Sequence, residues 1–249
     1  MESQRLGRVH LFRLLTQLEA ETEDWDTVYL RNDTLGARQP RPVFASETDH
    51  RLLHVDTLME DEHLRRELAK YATGLVLFHS TAATYAIAPP FSVKSDLVST
   101  GRPDTKPLHD MMEHPHRIVL VLVTWGAYVA ALYRGTELQR HKQGTGHIHP
   151  PHKKGGSSSA RFARRTEEQR REFLKRAGNR IDERFGDETV DYVFFGGNRL
   201  ILRPLASHSR FVEKSAPVLS PRILDVKRAK LDTLDGALAE AYSSVLFRT

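Results

Sequence analysis

The sequence predicts an α/β protein in two parts: a smaller α+β N-terminal domain over residues 1–115 and a mixed-sheet α/β domain over residues 116–249. Three features carry that reading. Short apolar runs bounded by turn residues recur along the chain, as buried strands do. In the second half such runs flank a long amphipathic stretch, Ser159 to Phe185, with apolar residues at helical spacing. That half also opens with an antiparallel hairpin, which makes its sheet mixed.

Taken in order, Leu6, Val9, Leu11, Leu14, Leu15 and Leu18 place a helix over 5–20. TVYLR (27–31) reads as a strand, the polar run 32–42 as a loop, and VFASE (43–47) and LLHVD (52–56) as short strands. Leu64, Leu68 and Tyr71 mark a helix over 60–72. GLVLFHS (74–80) and TYAIA (84–88) form a hairpin ended by Pro89-Pro90, FSVKSDLVS (91–99) adds an edge strand, and 107–113 is a short helix. His114-Pro115-His116 separates the domains. Residues 117–135 are two strands about a Gly126 turn, followed by a third over 138–142. The two hairpins share a layout, so an internal duplication is one reading. After the long helix, Gly186 fits a C-terminal cap. VDYVFFGG (190–197) is a buried strand, with LILRPLA (200–206) continuing near it. His208 to Ser215 is a short helix or loop, RILDVK (222–227) a last strand, and Leu231 to Val245 a closing helix.

Composition narrows the function classes. Apolar residues make up 39% and charged residues 28% of 249, as in a globular protein with polar loops. There is no cysteine, which excludes a disulfide framework and any thiolate metal site. The longest apolar run, Ile118 to Val123, is too short to span a bilayer, and MESQRLGRVHLF lacks the apolar core of a secretion signal. The expectation is a cytoplasmic protein with no membrane partner.

Charge is concentrated. From Arg140 to Arg176 there are eleven Lys/Arg against three Glu, a net of +8, whereas the whole chain carries +5. Phosphate is the natural partner of such a patch. Its centre is HIHPPHKKGGSSSARFARR (147–165), a Gly/Ser-rich loop, placed over 143–160, leading into the basic helix. A loop of that length without an apolar anchor is more often functional or disordered than structural. A plain linker fits the composition less well, because linkers seldom lie between a strand and a basic helix. No Gly-Lys-Ser/Thr follows a glycine at P-loop spacing, and Gly156-Ser157-Ser158 lacks the nucleophile-elbow frame. His141, His147, His149 and His152 cluster, yet no carboxylate or cysteine completes a tetrahedral metal set, so they read as added positive charge. Asp182, Glu183, Asp187 and Glu188 read as helix-end surface charge rather than metal ligands. The loop has no aromatic residue for base stacking, so sequence-specific RNA readout is not indicated. No cofactor, metal or DNA partner is expected.

GGSSSARFARR (155–165) followed by an amphipathic helix resembles the central domain of archaeal/eukaryotic-type class I peptide release factors. The family pattern there is a Gly-Gly-Gln tip, then Ser-Ala-x-Arg-Phe-x-Arg. The hairpin 117–135, His141-Lys142, VDYVFFGG and RILDVK follow in the family's order, so the resemblance covers roughly 116–249. The N-terminal part, with KPLHDMM, is similar to the front domain of shorter bacterial and archaeal relatives, among them peptidyl-tRNA hydrolases of ribosome-associated quality control. With no room after residue 249 for the family's GTPase-recruiting domain, the resemblance implies the rescue branch.

The resemblance implies an RNase H-like central domain and codon-independent hydrolysis of the peptidyl-tRNA ester at the peptidyl-transferase centre. The implied partners are the large ribosomal subunit, its rRNA and peptidyl-tRNA. Catalysis maps onto Gly155, Gly156, Ser157, Ser158 and Ser159, and RNA contact onto His147, His149, His152, Lys153, Lys154, Arg161, Arg164, Arg165, Arg171 and Lys175. The chain departs from the pattern at one point: serines occupy 157–159, where the family's Gln would lie. Either the backbone carries the chemistry, or the protein binds the ribosome without hydrolysis, as a hibernation or surveillance factor would.

Overall fold

The computed structural model describes residues 1–37, 50–148 and 157–249. The chain separates into two compact units, one of Met1–His114 with Ala239–Thr249, the other of Pro115–Leu238.

The first unit holds β1 (Glu2–Leu6), α1 (Arg8–Glu19), β2 (Trp25–Leu30), α2 (Asn32–Ala37), α3 (His50–Leu58), α4 (Glu62–Tyr71), β3 (Leu75–His79), β4 (Thr84–Ala88), β5 (Leu97–Gly101) and α5 (Lys106–Glu113). Its sheet runs β1-β11-β4-β3-β2-β5, antiparallel throughout, where β11 is Ser244–Arg248 from the C-terminus. Asp61 starts α4 by accepting from the His63 and Leu64 N–H groups, at 2.8 and 3.0 Å.

The second unit holds β6 (Arg117–Thr124), β7 (Ala127–Arg134), β8 (Glu137–Thr145), α6 (Ser157–Phe185), β9 (Tyr192–Gly197), α7 (Leu202–Ala206), α8 (Arg210–Lys214) and β10 (Leu219–Leu224). The last helix, α9 (Leu234–Ala241), carries the chain back to the first unit. The sheet order is β10-β9-β6-β7-β8. Strands β6, β7 and β8 are antiparallel, while β9 lies parallel to β6 and β10 parallel to β9. An antiparallel meander whose first strand is extended by two parallel strands is the RNase H-like arrangement. Pro221 sits in β10, an edge strand, where a missing N–H is tolerated. One core unites Val119, Val121, Val123, Tyr128 and Ala130 of the hairpin with Phe173, Leu174, Ala177, Ile181 and Phe185 of α6.

Several elements differ from the sequence reading. LLHVD is helical in α3: Leu52 and Val55 are buried and Leu53 is 48% exposed, a spacing of three rather than an alternation. The stretch 91–99 becomes strand only from Leu97, because Asp96 is drawn to the Arg31 N–H and the Thr34 hydroxyl, both at 2.7 Å. LILRPLA is a 3₁₀ turn and α7, begun where the Asn198 side chain accepts the Leu200 N–H at 3.0 Å. The closing helix stops at Ala241. Val245, Leu246 and Phe247 are buried in a row because β11 lies between β1 and β4, so the last eleven residues, Ala239–Thr249, leave the second unit. Arg5 and Leu6, read with the first helix, end a strand, Glu2–Leu6, paired to β11. VFASE lies outside the described residues. No helix among the described residues is long and apolar enough to cross a membrane.

Candidate nucleic-acid interface

The 29-residue α6 would extend about 43 Å at 1.5 Å per residue. Its two halves differ in burial. The second half carries Phe173, Leu174, Ala177, Ile181 and Phe185, all buried in the core with the sheet. In the first half, Arg161, Phe162, Ala163, Arg164 and Arg165 are exposed. At 100° per residue, Arg161, Arg164, Arg165, Arg171, Lys175 and Arg176 fall within roughly 140° of arc, opposite the buried stripe. Between Arg161 and Arg176 the acids on that arc are Glu168 and Glu172, so this part of the face is net cationic, while Asp182 and Glu183 join it farther along the helix. A clamped second half and a solvent-facing, positive first half suit a helix that delivers its N-terminal end to a polyanion.

The support under that first half was not visible in the sequence. The two-residue turn between β6 and β7 is Trp125-Gly126, with Gly126 at φ +88°, a conformation side chains disfavour. The Arg170 guanidinium of α6 lies over the Trp125 ring, 4.6 Å from its centroid. The Gly126 carbonyl accepts the Gly146 N–H at 2.9 Å, so the same turn holds the segment leaving β8. A Cβ on Gly146 would stand 2.6 Å from Cδ2 of Phe173, so β8 and α6 meet at van der Waals contact. Ile148 packs on the same core. The sole sequence hint was a large aromatic in a two-residue turn.

The rear of α6 is fixed by groups taken for surface charge. Asp182 accepts from Ser209 Oγ at 2.7 Å, Arg210 N at 2.9 Å and Phe211 N at 3.0 Å, which caps α8 and ties it to α6. Glu188 pairs with both Arg117 and Arg140. Burial pushes the Tyr128 phenol up, so it stays protonated at neutral pH.

The sequence candidates distribute as follows. The connection between β8 and α6 is shorter than the loop placed over 143–160, because residues through Thr145 pair with β7 and α6 begins at Ser157. Ser157, Ser158 and Ser159 form the first turn of α6. Arg161, Arg164, Arg165, Arg171 and Lys175 are exposed along the helix, and His147 is exposed just beyond β8. Gly155, Gly156, His149, His152, Lys153 and Lys154 lie outside the described residues.

Comparison with known proteins gives three kinds of match. A family model described as Actinobacteria/chloroflexi VLRF1 release factor matches residues 116–246. Eukaryotic peptide chain release factor subunit 1 of Oxytricha trifallax is 26% identical over 153 residues, 59% of this chain. The chain spans about a third of that relative's length, 34%. Among solved structures, the archaeal translation termination factor aRF1 is 19% identical, with a TM-score of 0.42, covering 95% of this chain and 70% of that one. Archaeoglobus fulgidus Pelota is 10% identical, with a TM-score of 0.32, covering 96% and 61%.

Proposed function

Because this chain belongs to the VLRF1 release-factor family, we propose that it is a codon-independent peptidyl-tRNA hydrolase acting at the peptidyl-transferase centre of the large ribosomal subunit. One observation carries the reading most directly. Helix α6 begins at Ser157, immediately after Gly155-Gly156, and its exposed first half presents Arg161, Arg164 and Arg165. Two residues without side chains ahead of a cationic helix suit a tip that an RNA-walled tunnel can admit. The helix's positive N-terminal end favours charge developing beside it.

In the proposed reaction, water adds to the ester carbonyl carbon linking the nascent peptide to the terminal ribose of tRNA. The bond from that carbon to the ribose oxygen breaks, the ribose oxygen takes one of the water's protons, and the peptide leaves as a carboxyl group that gives the other proton to solvent. Backbone N–H groups of the tip stabilise the negative oxygen of the intermediate. Exposed cations of α6 hold rRNA and tRNA phosphates, as do His147, His149, His152, Lys153 and Lys154 of the loop. Ser157, Ser158 and Ser159 supply short hydroxyls where the family's Gln would position the water.

Those serines also favour a second reading, a ribosome-binding factor that occupies the centre without hydrolysis. Release of a labelled nascent peptide from purified peptidyl-tRNA–large-subunit complexes separates the two. Release by wild type but not by Gly156→Val supports the hydrolase. Co-sedimentation with the subunit without release, at any protein concentration, refutes it in favour of the silent factor.

A further inference from the structure

The carboxyl end of β6 gathers more than the base of α6. Four consecutive residues there each hold a different segment. The Val123 carbonyl accepts the Asn198 N–H at 3.1 Å, and the Thr124 hydroxyl accepts the Ala229 N–H at 3.3 Å. The Trp125 ring lies under Arg170 of α6, and the Gly126 carbonyl accepts the Gly146 N–H. The parallel strands β9 and β10 end at this same edge, with Gly197 opposite Val123 and Leu224 opposite Gly196. Outside the carboxyl ends of parallel strands is where open α/β sheets present ligand-binding loops.

Two of the four segments play no part in the proposed chemistry, yet both are cationic. The segment after β9 exposes Arg199, and the one after β10 exposes Lys227, Arg228 and Lys230 around the buried Ala229. Their exposed acids are Asp225 and Asp232. Each segment is fixed rather than loose. Gly197 takes φ +98°, and a Cβ there would stand 2.3 Å from the Val123 carbonyl oxygen, so the β9 strand must turn against β6. The Asn198 side chain then caps Leu200 N–H, which leaves Leu200 81% exposed beside Arg199. A bulky aliphatic held in solvent next to a cation suits a partner with both phosphates and apolar base or sugar faces.

We infer that Arg199, Leu200, Lys227, Arg228 and Lys230 form a second RNA-backbone contact, continuous across the β6 hub with the cationic face of α6. Five strands at about 4.8 Å spacing span roughly 19 Å, so a nucleic-acid strand crossing this edge passes several phosphates. The contact reads phosphate and shape, since the cations point to no base-edge pairing scheme. The inference rests on the RNA-contact part of the reading above and not on hydrolysis.

The test is anisotropy of a short labelled RNA duplex with full-length protein, from about 50 to 200 mM salt. Three proteins are compared: wild type, K227E/R228E/K230E, and R161E/R164E/R165E. All six side chains are exposed, and unchanged circular dichroism verifies folding. The K227E/R228E/K230E protein is expected to bind at least about tenfold more weakly, with a log K against log salt slope shallower by about 2 to 3. Leu200→Ser is expected to weaken binding a few-fold at unchanged slope. Wild-type affinity and slope in K227E/R228E/K230E, with loss confined to R161E/R164E/R165E, overturns the second contact and leaves the α6 reading intact. Equal competition by polyglutamate and RNA overturns it as well, since the surface would then take any polyanion. Lost affinity in K227E/R228E/K230E, in a protein whose wild type releases no peptide, supports the contact while the hydrolase reading fails.

Discussion

Replacing Gly178 with alanine tests the placement of α6, because local propensity and tertiary packing predict opposite signs. Gly178 lies in the interior of α6, where glycine to alanine normally stabilises by about 1 kcal/mol. A Cβ on Gly178, however, would stand 2.1 Å from the His208 carbonyl oxygen and 2.6 Å from its carbon. Both atoms are backbone in the turn between α7 and α8, so no rotamer change relieves the clash. Helix α6 must draw back from that turn by about 1 Å to reach ordinary contact. That movement loosens Leu174, Ala177 and Ile181 from Ile201, Leu205 and Phe211, which share one core. Overpacking costs about 1–3 kcal/mol, and a backbone clash belongs at the upper end. Less the propensity gain, Gly178→Ala should destabilise by about 2 kcal/mol and lower Tm by roughly 4–8 °C. Gly236 in α9 is the control: nothing lies within 4 Å of its added Cβ, so Gly236→Ala should stabilise by about 0.5–1 kcal/mol. The chain's two tryptophans fall one in each unit, so a Trp25→Phe background leaves Trp125 to report urea unfolding of the second unit. Trp25 Nε1 has no hydrogen-bond partner, so that background breaks no hydrogen bond there. A Gly178→Ala protein as stable as its parent would refute the close packing of α6 on the α7–α8 turn.

Other perturbations separate the remaining interactions. Arg170→Ala and Trp125→Ala, combined in a double-mutant cycle of urea stability, should show a coupling of about 0.5–1 kcal/mol; a coupling of zero would remove the clamp beneath α6. Asp182→Ala deletes three accepted hydrogen bonds at the start of α8 and should cost about 1–2 kcal/mol, with Asp182→Asn milder; equal losses would argue against charge in the cap. In the first unit, burial and then the neighbouring His54 hold the His79 imidazole below its ordinary value of 6.5, with Asp26 opposing. The unfolded chain therefore takes up that proton first, so the stability contribution is full above pH 6.5 and is lost as pH falls through the lower folded value. Unfolding followed through Trp25 in a Trp125→Phe background should weaken below that pH, and His79→Gln should flatten the profile; an unchanged profile would exclude His79 as its source.

The sequence determined the parts of this protein that local periodicity and composition encode. Apolar runs marked β3, β4, β6, β7 and β9, and the 3.6-residue spacing of Phe173, Ala177, Ile181 and Phe185 marked α6 with its buried face. Charge counting placed the cationic segment, and Ala-Arg-Phe-x-Arg-Arg after two glycines gave the family resemblance. Tertiary structure decided what depends on distant partners. LLHVD and SVLFR are short apolar segments whose local pattern fits helix or strand; contacts with the sheet made one a helix and the other β11, paired to strands far away in sequence. Asp182 and Glu188 have the composition of surface charge, and only packing gives them Ser209, Arg117 and Arg140 as partners. The convergence of residues 146, 170, 198 and 229 on Val123–Gly126 has no local signature, because it arises from strand order, which brings chain ends together only after the sheet has formed.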